Sequence, residues 1–284
     1  MPSHARSLVA SLAGDGIPDL LSGSSIMLGD GTGDFSAAVR TPFGAYPRSA
    51  EEVAAEPPLH VTSLDLDGDG DLDLVVSPSA GSSTLGVHAL LNPGSGDFSE
   101  AEPRPLAGLE AEYSPSLLRV VDLNRDGVDD VVCGGAGVPL RAWLSAGGDG
   151  GGQPSAGDHA GGESAALGGE SVTLSAAGAC DLEVDADVDG DGLADLVWVT
   201  PTSQVVHMLP LVPAPEGAES IAQAKARLEA AVASSEVTEL ASLYSDGAAL
   251  TQIELADVDG DGLVDMVVGT GGSASWGSGI LIYF

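Results

Sequence analysis

The chain has 284 residues, with 43 acidic against 9 basic side chains and a formal net charge of -34 at pH 7. Lys225 is the sole lysine, so no basic stripe exists to contact phosphates, which excludes nucleic acid and anionic membranes as expected partners. No apolar run approaches the ~20 residues of a membrane-spanning helix, and the N-terminus lacks the apolar segment of a secretory signal. The apolar content, 43%, and the length fit one large all-β domain spanning residues 1–284.

The first distinctive segment, residues 11–19, is the least complete of five related acidic loops. It has Asp15, Gly16 and Asp19 at loop positions 5, 6 and 9, but Ser11 and Ala13 at positions 1 and 3. The other four loops have an oxygen-bearing side chain at positions 1, 3, 5 and 9 and Gly at position 6; they span 65–73, 122–130, 187–195 and 257–265. The first loop is therefore predicted to be a weakened or empty version of the other four.

The four intact loops have the chemistry of calcium sites. Oxygen ligands converge on a hard cation, position 7 adds a backbone carbonyl, and Gly at position 6 permits a sharp turn. Without a cation, neighbouring carboxylates would repel one another by up to about 4 kcal/mol per close pair. The predicted ligands are Asp65, Asp67, Asp69, Asp71 and Asp73; Asp122, Asn124, Asp126, Val128 and Asp130; Asp187, Asp189, Asp191, Leu193 and Asp195; and Asp257, Asp259, Asp261, Leu263 and Asp265.

These loops differ from an EF-hand at position 12 and in their flanking segments. An EF-hand needs a bidentate Glu at position 12 and a helix on each side, whereas position 12 is apolar here: Val76, Cys133, Trp198 and Val268. Short β-branched runs come after each loop and alternating runs such as 60–64 and 252–256 precede it, which is typical of strands. Each loop is therefore predicted to join two strands as a hairpin.

The loops recur at a nearly regular distance. The aspartates at position 5 are successively 54, 57, 65 and 70 residues apart. A period of this length with about four short strands per unit predicts the blades of a β-propeller.

The residues resemble the FG-GAP/VCBS repeat, as found in the integrin α-subunit head and in many secreted proteins. The resemblance rests on the Asp-x-Asp-Gly-Asp-Gly-x-x-Asp-Leu-Val-Val loop and on a Leu-Leu-Asn-x-Gly-x-Gly-x-Phe-Ser strand end near Phe98, and it covers nearly the whole chain. It implies a structural Ca²⁺ in each of the four intact loops and an extracellular or cell-surface location. The chain departs from the pattern at Asn124 and in the missing Phe-Ser ending after the third and fourth loops.

The blade count leaves two interpretations. A propeller of this family normally closes with about seven blades, so five units favour part of a longer chain. In the alternative, the N-terminal strand completes the last blade of a five-bladed ring.

Two segments interrupt the repeats. Residues 145–170 are rich in Gly and poor in large apolar side chains, so a flexible insertion is expected. Residues 216–237 include a helix-forming stretch with Ile221, Ala224, Lys225, Leu228 and Val232 on one stripe, and a helical insertion is expected there.

No catalytic arrangement stands out, and the chain is expected not to be an enzyme. A nucleophile elbow, a His-Glu-x-x-His motif and a Walker loop are all missing from the sequence. A non-catalytic recognition or adhesion scaffold for a protein or glycan ligand is favoured. The alternatives are the propeller part of a secreted polysaccharide hydrolase or lyase, and a lectin using Trp143, Trp198 or Trp276. Cys133, paired with Cys180 only in a less favoured interpretation, is expected to be a reduced core thiol.

Overall fold

The computed structural model describes residues 7–22, 25–36, 39–40, 60–77, 86–109, 115–124, 126–135, 137–145, 167, 169–179, 181–190, 195–200, 205–210, 220–233, 238–242, 250–270 and 279–283. These residues are mostly β-structure, arranged in antiparallel sheets of three or four strands. The chain divides into two compact units, one made of residues 1–118 and 145–170 and the other of residues 119–144 and 171–284.

The first unit contains two four-stranded sheets in which the strands lie side by side in chain order. The first sheet consists of β1 (Ser7–Ala10), β2 (Asp19–Ser22), β3 (Ser25–Met27) and β4 (Val39–Arg40). The second consists of β5 (His60–Leu64), β6 (Asp73–Ser77), β7 (His88–Leu90) and β8 (Arg104–Pro105).

The second unit contains three sheets built in the same order. The third sheet consists of β9 (Leu117–Val121), β10 (Asp130–Gly135), β11 (Val138–Ser145) and β12 (Gly169–Ser175). A boundary between the two units falls within β9. The fourth consists of β13 (Asp181–Ala186), β14 (Asp195–Thr200), β15 (Val205–Leu209) and β16 (Thr238–Ser242). The fifth consists of β17 (Leu250–Ala256), β18 (Asp265–Thr270) and β19 (Gly279–Tyr283).

Each repeat predicted from the sequence corresponds to one sheet, and its acidic loop joins the first two strands of that sheet. The second strand begins at the position-9 aspartate in all five cases, as at Asp19 in β2 and Asp73 in β6. Strand β6 is buried along its whole length. Its consecutive apolar side chains point alternately to the two faces of the sheet, and both faces are covered. The hairpin prediction is confirmed.

The first strand belongs to the first sheet. Val9 of β1 pairs with Leu20 of β2 in antiparallel register. The alternative in which the N-terminal strand completes the last blade is therefore wrong for this strand, because β1 pairs with β2 of its own hairpin.

In each unit, two neighbouring sheets pack against each other through apolar side chains. In the first unit, one cluster joins the first and second sheets and includes Leu12, Ile26, Leu74 and Phe98. In the second unit, the fourth and fifth sheets meet through a cluster made of Val197, Val199, Val206, Met208, Ile253, Met266 and Val268. The acidic loops lie at the strand ends next to these clusters, and Leu12, at position 2 of the first loop, is part of the first cluster.

The two predicted insertions lie between strands of one sheet. The described residues contain one helix, α1 (Ile221–Ala233), between β15 and β16, as predicted for 216–237, and its buried residues are Ala224, Leu228 and Ala231. The Gly-rich insertion lies between β11 and β12, and most of 145–170 falls outside the described residues. Cys133 is buried, as predicted, whereas Cys180 lies outside the described residues.

Candidate metal sites

All five loops share one anchoring hydrogen bond from the backbone to the position-9 aspartate. In the second loop the Leu66 N–H donates to Oδ2 of Asp73 over 2.9 Å. The same bond, from position 2 to position 9, recurs at Leu12–Asp19 (2.7 Å), Leu123–Asp130 (3.0 Å), Val188–Asp195 (2.8 Å) and Val258–Asp265 (2.8 Å). The position-9 carboxylate therefore ties the start of each loop to the next strand.

A second shared bond closes the turn. The N–H of the position-6 glycine donates to the position-1 side chain in the second, third and fifth loops, for example from Gly70 to Oδ2 of Asp65 over 3.0 Å. Gly70 has a φ of 93°, a left-handed conformation that side chains disfavour. A Cβ at Gly70 would meet no atom within 4 Å, so backbone conformation rather than space requires glycine there.

Three of the loops bring carboxylates together closely enough to hold a metal ion. In each, one ligand atom from the aspartates at positions 1, 3 and 9 lies within 4.8 Å of the others; the sets are Asp65, Asp67 and Asp73, then Asp187, Asp189 and Asp195, then Asp257, Asp259 and Asp265. The predicted ligands Asp69, Asp71, Asp261 and Leu263 lie in the same loops, whereas Asp191 and Leu193 lie outside the described residues.

The third loop differs because position 3 is an amide. Asn124 is fully buried, and its Nδ2 donates to Oδ2 of Asp126 over 2.9 Å. Asp122 accepts the Gly127 N–H through Oδ2, and its Oδ1 is buried with no hydrogen-bond partner among the described residues. This loop retains oxygen donors from Asp122, Asn124, Asp126 and Asp130, but with one negative charge fewer.

The negative charge in the second loop is energetically unfavourable without a cation. Burial raises the pKa of Asp73 to about 7, and the nearby charges of Asp67 and Asp69 act in the same direction, against the hydrogen bonds from Asn92 and Leu66. Burial likewise raises the pKa of Asp67, with the charges of Asp69 and Asp65 adding to the effect. A bound divalent ion would reverse this balance because it favours the charged form of each carboxylate.

The donor set suits calcium. Every candidate ligand in the intact loops is a carboxylate, an amide oxygen or a backbone carbonyl, and hard cations such as Ca²⁺ take six to eight such oxygens. The orphaned Oδ1 of Asp122 is the kind of buried oxygen that a cation would satisfy. The residues present therefore fit the ion that the sequence pattern predicts.

The first loop keeps the scaffold of the others without the acidic cluster. Oγ of Ser11 accepts the Gly16 N–H over 2.9 Å, as the position-1 carboxylates do elsewhere, and Oδ1 of Asp15 accepts the Ile17 N–H over 2.9 Å. Since Ala13 has no oxygen in its side chain, positions 1 and 3 supply no carboxylate.

Sequence reasoning missed the role of Asn92. Its Nδ2 donates to the Leu12 carbonyl over 2.7 Å and to the Leu72 carbonyl over 3.0 Å, and its backbone N–H donates to Oδ1 of Asp73 over 2.7 Å. It thereby connects the first and second loops, both of which belong to the first unit. The Asn in the Leu-Leu-Asn strand end was the available signal, but it did not reveal the partners.

The two tryptophans that the structure describes are core residues. Trp143 and Trp198 are each 1% exposed, and the Trp198 ring stacks on His207 with centroids 5.4 Å apart. Neither can stack on a sugar from solvent, so these two candidates for a lectin site are wrong. Trp276 lies outside the described residues.

Repeated sheets of three or four antiparallel strands whose first hairpin carries this loop, with an aspartate cluster that could hold a cation in three of them, define a class of repeat protein. Residues 12–76 and 65–133 match the model of the FG-GAP-like repeat. Residues 12–133 thus contain FG-GAP-like repeats, which confirms the resemblance seen in the sequence for this part of the chain. No curated protein matches the chain in sequence.

The backbone is similar to two solved structures. One is an Agrocybe aegerita lectin described as specifically recognising non-reducing terminal N-acetylglucosamine, with a TM-score of 0.53 and 16% identity over 98% of this chain and 66% of the lectin chain. The other is the V. cholerae biofilm matrix protein Bap1, with a TM-score of 0.35 and 15% identity over 97% of this chain and 41% of that chain. The chain thus spans slightly less than two thirds of the lectin. At this identity the lectin likeness concerns the fold alone.

The structure describes no helix that is long and apolar enough to span a membrane.

Proposed function

We propose that the chain is a calcium-loaded, propeller-type scaffold that recognises a ligand without catalysing a reaction, outside the cell. The observation that carries this proposal is the recurrence of one aspartate triad, with its ligand atoms within 4.8 Å of one another, on three loops of the same design. In this role the ion neutralises the carboxylates and stabilises each hairpin. The strands then support a surface for a protein or glycan ligand.

An extracellular setting follows from the amount of calcium that such loops need. Oxygen-only loops that bind with a dissociation constant of about 10 μM stay largely empty at cytosolic calcium levels and fill at about 1 mM calcium. Four ions would change the net charge from -34 to -26, which still leaves a strongly anionic surface suited to a dissolved protein.

An exposed face of the fifth sheet supports the propeller arrangement. Val206 and Met208 of the fourth sheet are buried against the fifth sheet. By strand register, Ile280 and Ile282 occupy the equivalent positions in the fifth sheet, yet they are 72% and 44% exposed. In a propeller each blade packs on two neighbours, and this aliphatic face is where another sheet of the same kind would pack.

Titration of metal-stripped protein with calcium tests the metal part of the proposal. We expect uptake of one ion per intact loop, four in all. The double variant Asp65→Ser/Asp67→Ala copies positions 1 and 3 of the first loop into the second, where Ser11 already shows that serine can accept the closing hydrogen bond. It should take up one ion fewer and stay folded.

The reciprocal variant Ser11→Asp/Ala13→Asp is the matched control, because it restores both acids to the first loop. It should gain one ion relative to the natural sequence. Absence of calcium uptake by the natural protein would contradict the proposal, and unchanged uptake in both double variants would show that ions bind elsewhere.

A second candidate function is sugar binding, favoured by the similarity of the backbone to that of a lectin. A glycan array that includes terminal N-acetylglucosamine tests it. Calcium-loaded protein should bind a subset of glycans and release them when a chelator removes the calcium, because the calcium-bound loops support the neighbouring surface. The Trp143→Phe variant is a control that should retain the pattern, since Trp143 is buried. Absence of any bound glycan would leave a protein ligand as the proposal.

A further inference from the structure

Helix α1 contacts the third acidic loop from a distant part of the chain. Nη2 of Arg227 donates to the Leu123 carbonyl over 3.1 Å, and both residues belong to the second unit. This carbonyl belongs to the peptide that joins Leu123 to Asn124, so the helix holds a backbone group between two predicted ligands, Asp122 and Asn124. The helix itself is the insertion between β15 and β16 of the fourth sheet.

The contacted part of the third loop is covered. Leu123 and Asn124, at positions 2 and 3, are 1% and 0% exposed. At the same positions of the fifth loop, Val258 is 49% exposed and Asp259 is also exposed. The third loop is therefore enclosed where the fifth loop is open to solvent.

The helix depends on packing for its stability. Its 13 residues are near the limit below which an isolated helix is marginal in water. Ser220 caps it, since its Oγ accepts the Gln223 N–H over 3.4 Å and its own N–H donates to Oε1 of Gln223 over 3.0 Å. Its buried residues include two alanines and Leu228, a small apolar contact, so bonds such as that from Arg227 contribute substantially to docking.

We propose that docking of helix α1 and cation binding by the third loop are coupled, so that each stabilises the other. The inference rests on the proposed calcium function. Oδ1 of Asp122 is buried without a hydrogen-bond partner, so the backbone of the loop is expected to shift when this oxygen binds an ion. That shift would move the Leu123 carbonyl, which accepts the hydrogen bond from Arg227. Because coupling between two equilibria is reciprocal, undocking of the helix must weaken ion binding by the same factor by which the ion strengthens docking, and loss of the Arg227 contact weakens ion binding by up to that factor.

Hydrogen exchange of the helix amides, with and without calcium, tests the coupling in the whole chain. We expect calcium to slow exchange over 221–233 by about tenfold, in the range of ordinary allosteric coupling. The variant Asp122→Ser/Asn124→Ala, which gives the third loop the residues of the first at positions 1 and 3, should abolish this effect. The matched variant Asp65→Ser/Asp67→Ala in the second loop should leave it intact.

The reciprocal measurement uses Arg227→Ala. This variant should bind one calcium ion more weakly, by up to the factor by which calcium slows amide exchange in the helix. Glu229→Ala is the control on an exposed position of the same helix and should bind calcium as the natural protein does. Equal helix exchange with and without calcium, in protein that takes up the ions, would overturn the coupling and leave the proposed function standing. An unchanged ion count in Asp122→Ser/Asn124→Ala would also overturn it, whereas no uptake anywhere would remove both proposals.

Discussion

Chelation of calcium is expected to lower the melting temperature of the protein by roughly 15–30 °C. If a site binds with a dissociation constant of about 10 μM, then about 1 mM calcium adds about 2.7 kcal/mol to the free energy of unfolding. The second unit contains three intact loops, so calcium adds about 8 kcal/mol to its free energy of unfolding. Each kcal/mol raises the melting temperature by about 2–4 °C at this size. Scanning calorimetry in calcium and in chelator measures the difference.

Two controls separate a site effect from a general salt effect. Magnesium should give a much smaller rise, because it demands near-octahedral geometry and loses its water reluctantly. Hydrogen exchange should assign the larger calcium effect to the second unit, since only one intact loop, 65–73, lies in the first. Equal melting temperatures in calcium and in chelator would contradict structural calcium in these loops.

The repeat architecture was predictable from the sequence because its signals are local. The glycine at position 6 and the short apolar runs each depend on residues within about a dozen positions of one another, and this local pattern then recurs every 54 to 70 residues. The strand β5 (His60–Leu64) coincides with its predicted run, and β17 (Leu250–Ala256) contains the predicted 252–256. Helix α1 was predictable for the same reason.

The contacts that link repeats were not predictable, because they join distant residues. Asn92 Nδ2 reaches the Leu12 carbonyl 80 positions away, and Arg227 reaches Leu123 across 104 positions. Neither bond leaves a periodic signal in the sequence. The burial of Trp143 and Trp198 likewise results from the packed sheets and not from a local sequence pattern.

The position-9 aspartates show a different limit of sequence reasoning. The spacing predicts a metal ligand, and the structure adds a backbone anchor, since Asp73 accepts N–H groups from Leu66 and Asn92. Both roles require a carboxylate at one place, so the sequence pattern cannot separate them. The first loop separates the two roles, because it keeps Asp19 while lacking the acids at positions 1 and 3.

Asp19→Ala is expected to reduce the free energy of unfolding of the first unit by on the order of 3–5 kcal/mol, and by the same amount in calcium and in chelator. Oδ2 of Asp19 accepts the N–H groups of Leu12 and Ala13, at 2.7 and 3.0 Å, and Oδ1 accepts that of Gly29 at 2.8 Å. Removing the carboxylate leaves three donors without this acceptor, each costing about 1–3 kcal/mol where water cannot replace it. Urea unfolding monitored by circular dichroism measures the loss.

The comparison with Asp73→Ala and Asp15→Asn separates anchoring from metal binding. Asp73→Ala should show the same calcium-independent loss and, in addition, lose the calcium-dependent part that the second loop contributes. Asp15→Asn keeps an oxygen that can accept the Ile17 N–H at an exposed position, so its effect should stay within about 0.5 kcal/mol. If Asp19→Ala were equally mild, position 9 would act only as a ligand; if its effect appeared only in calcium, the first loop would itself bind metal. A large loss in both conditions would mean that this aspartate stabilises the hairpin without calcium. Calcium would then bind to a loop that hydrogen bonds to the backbone already hold in place.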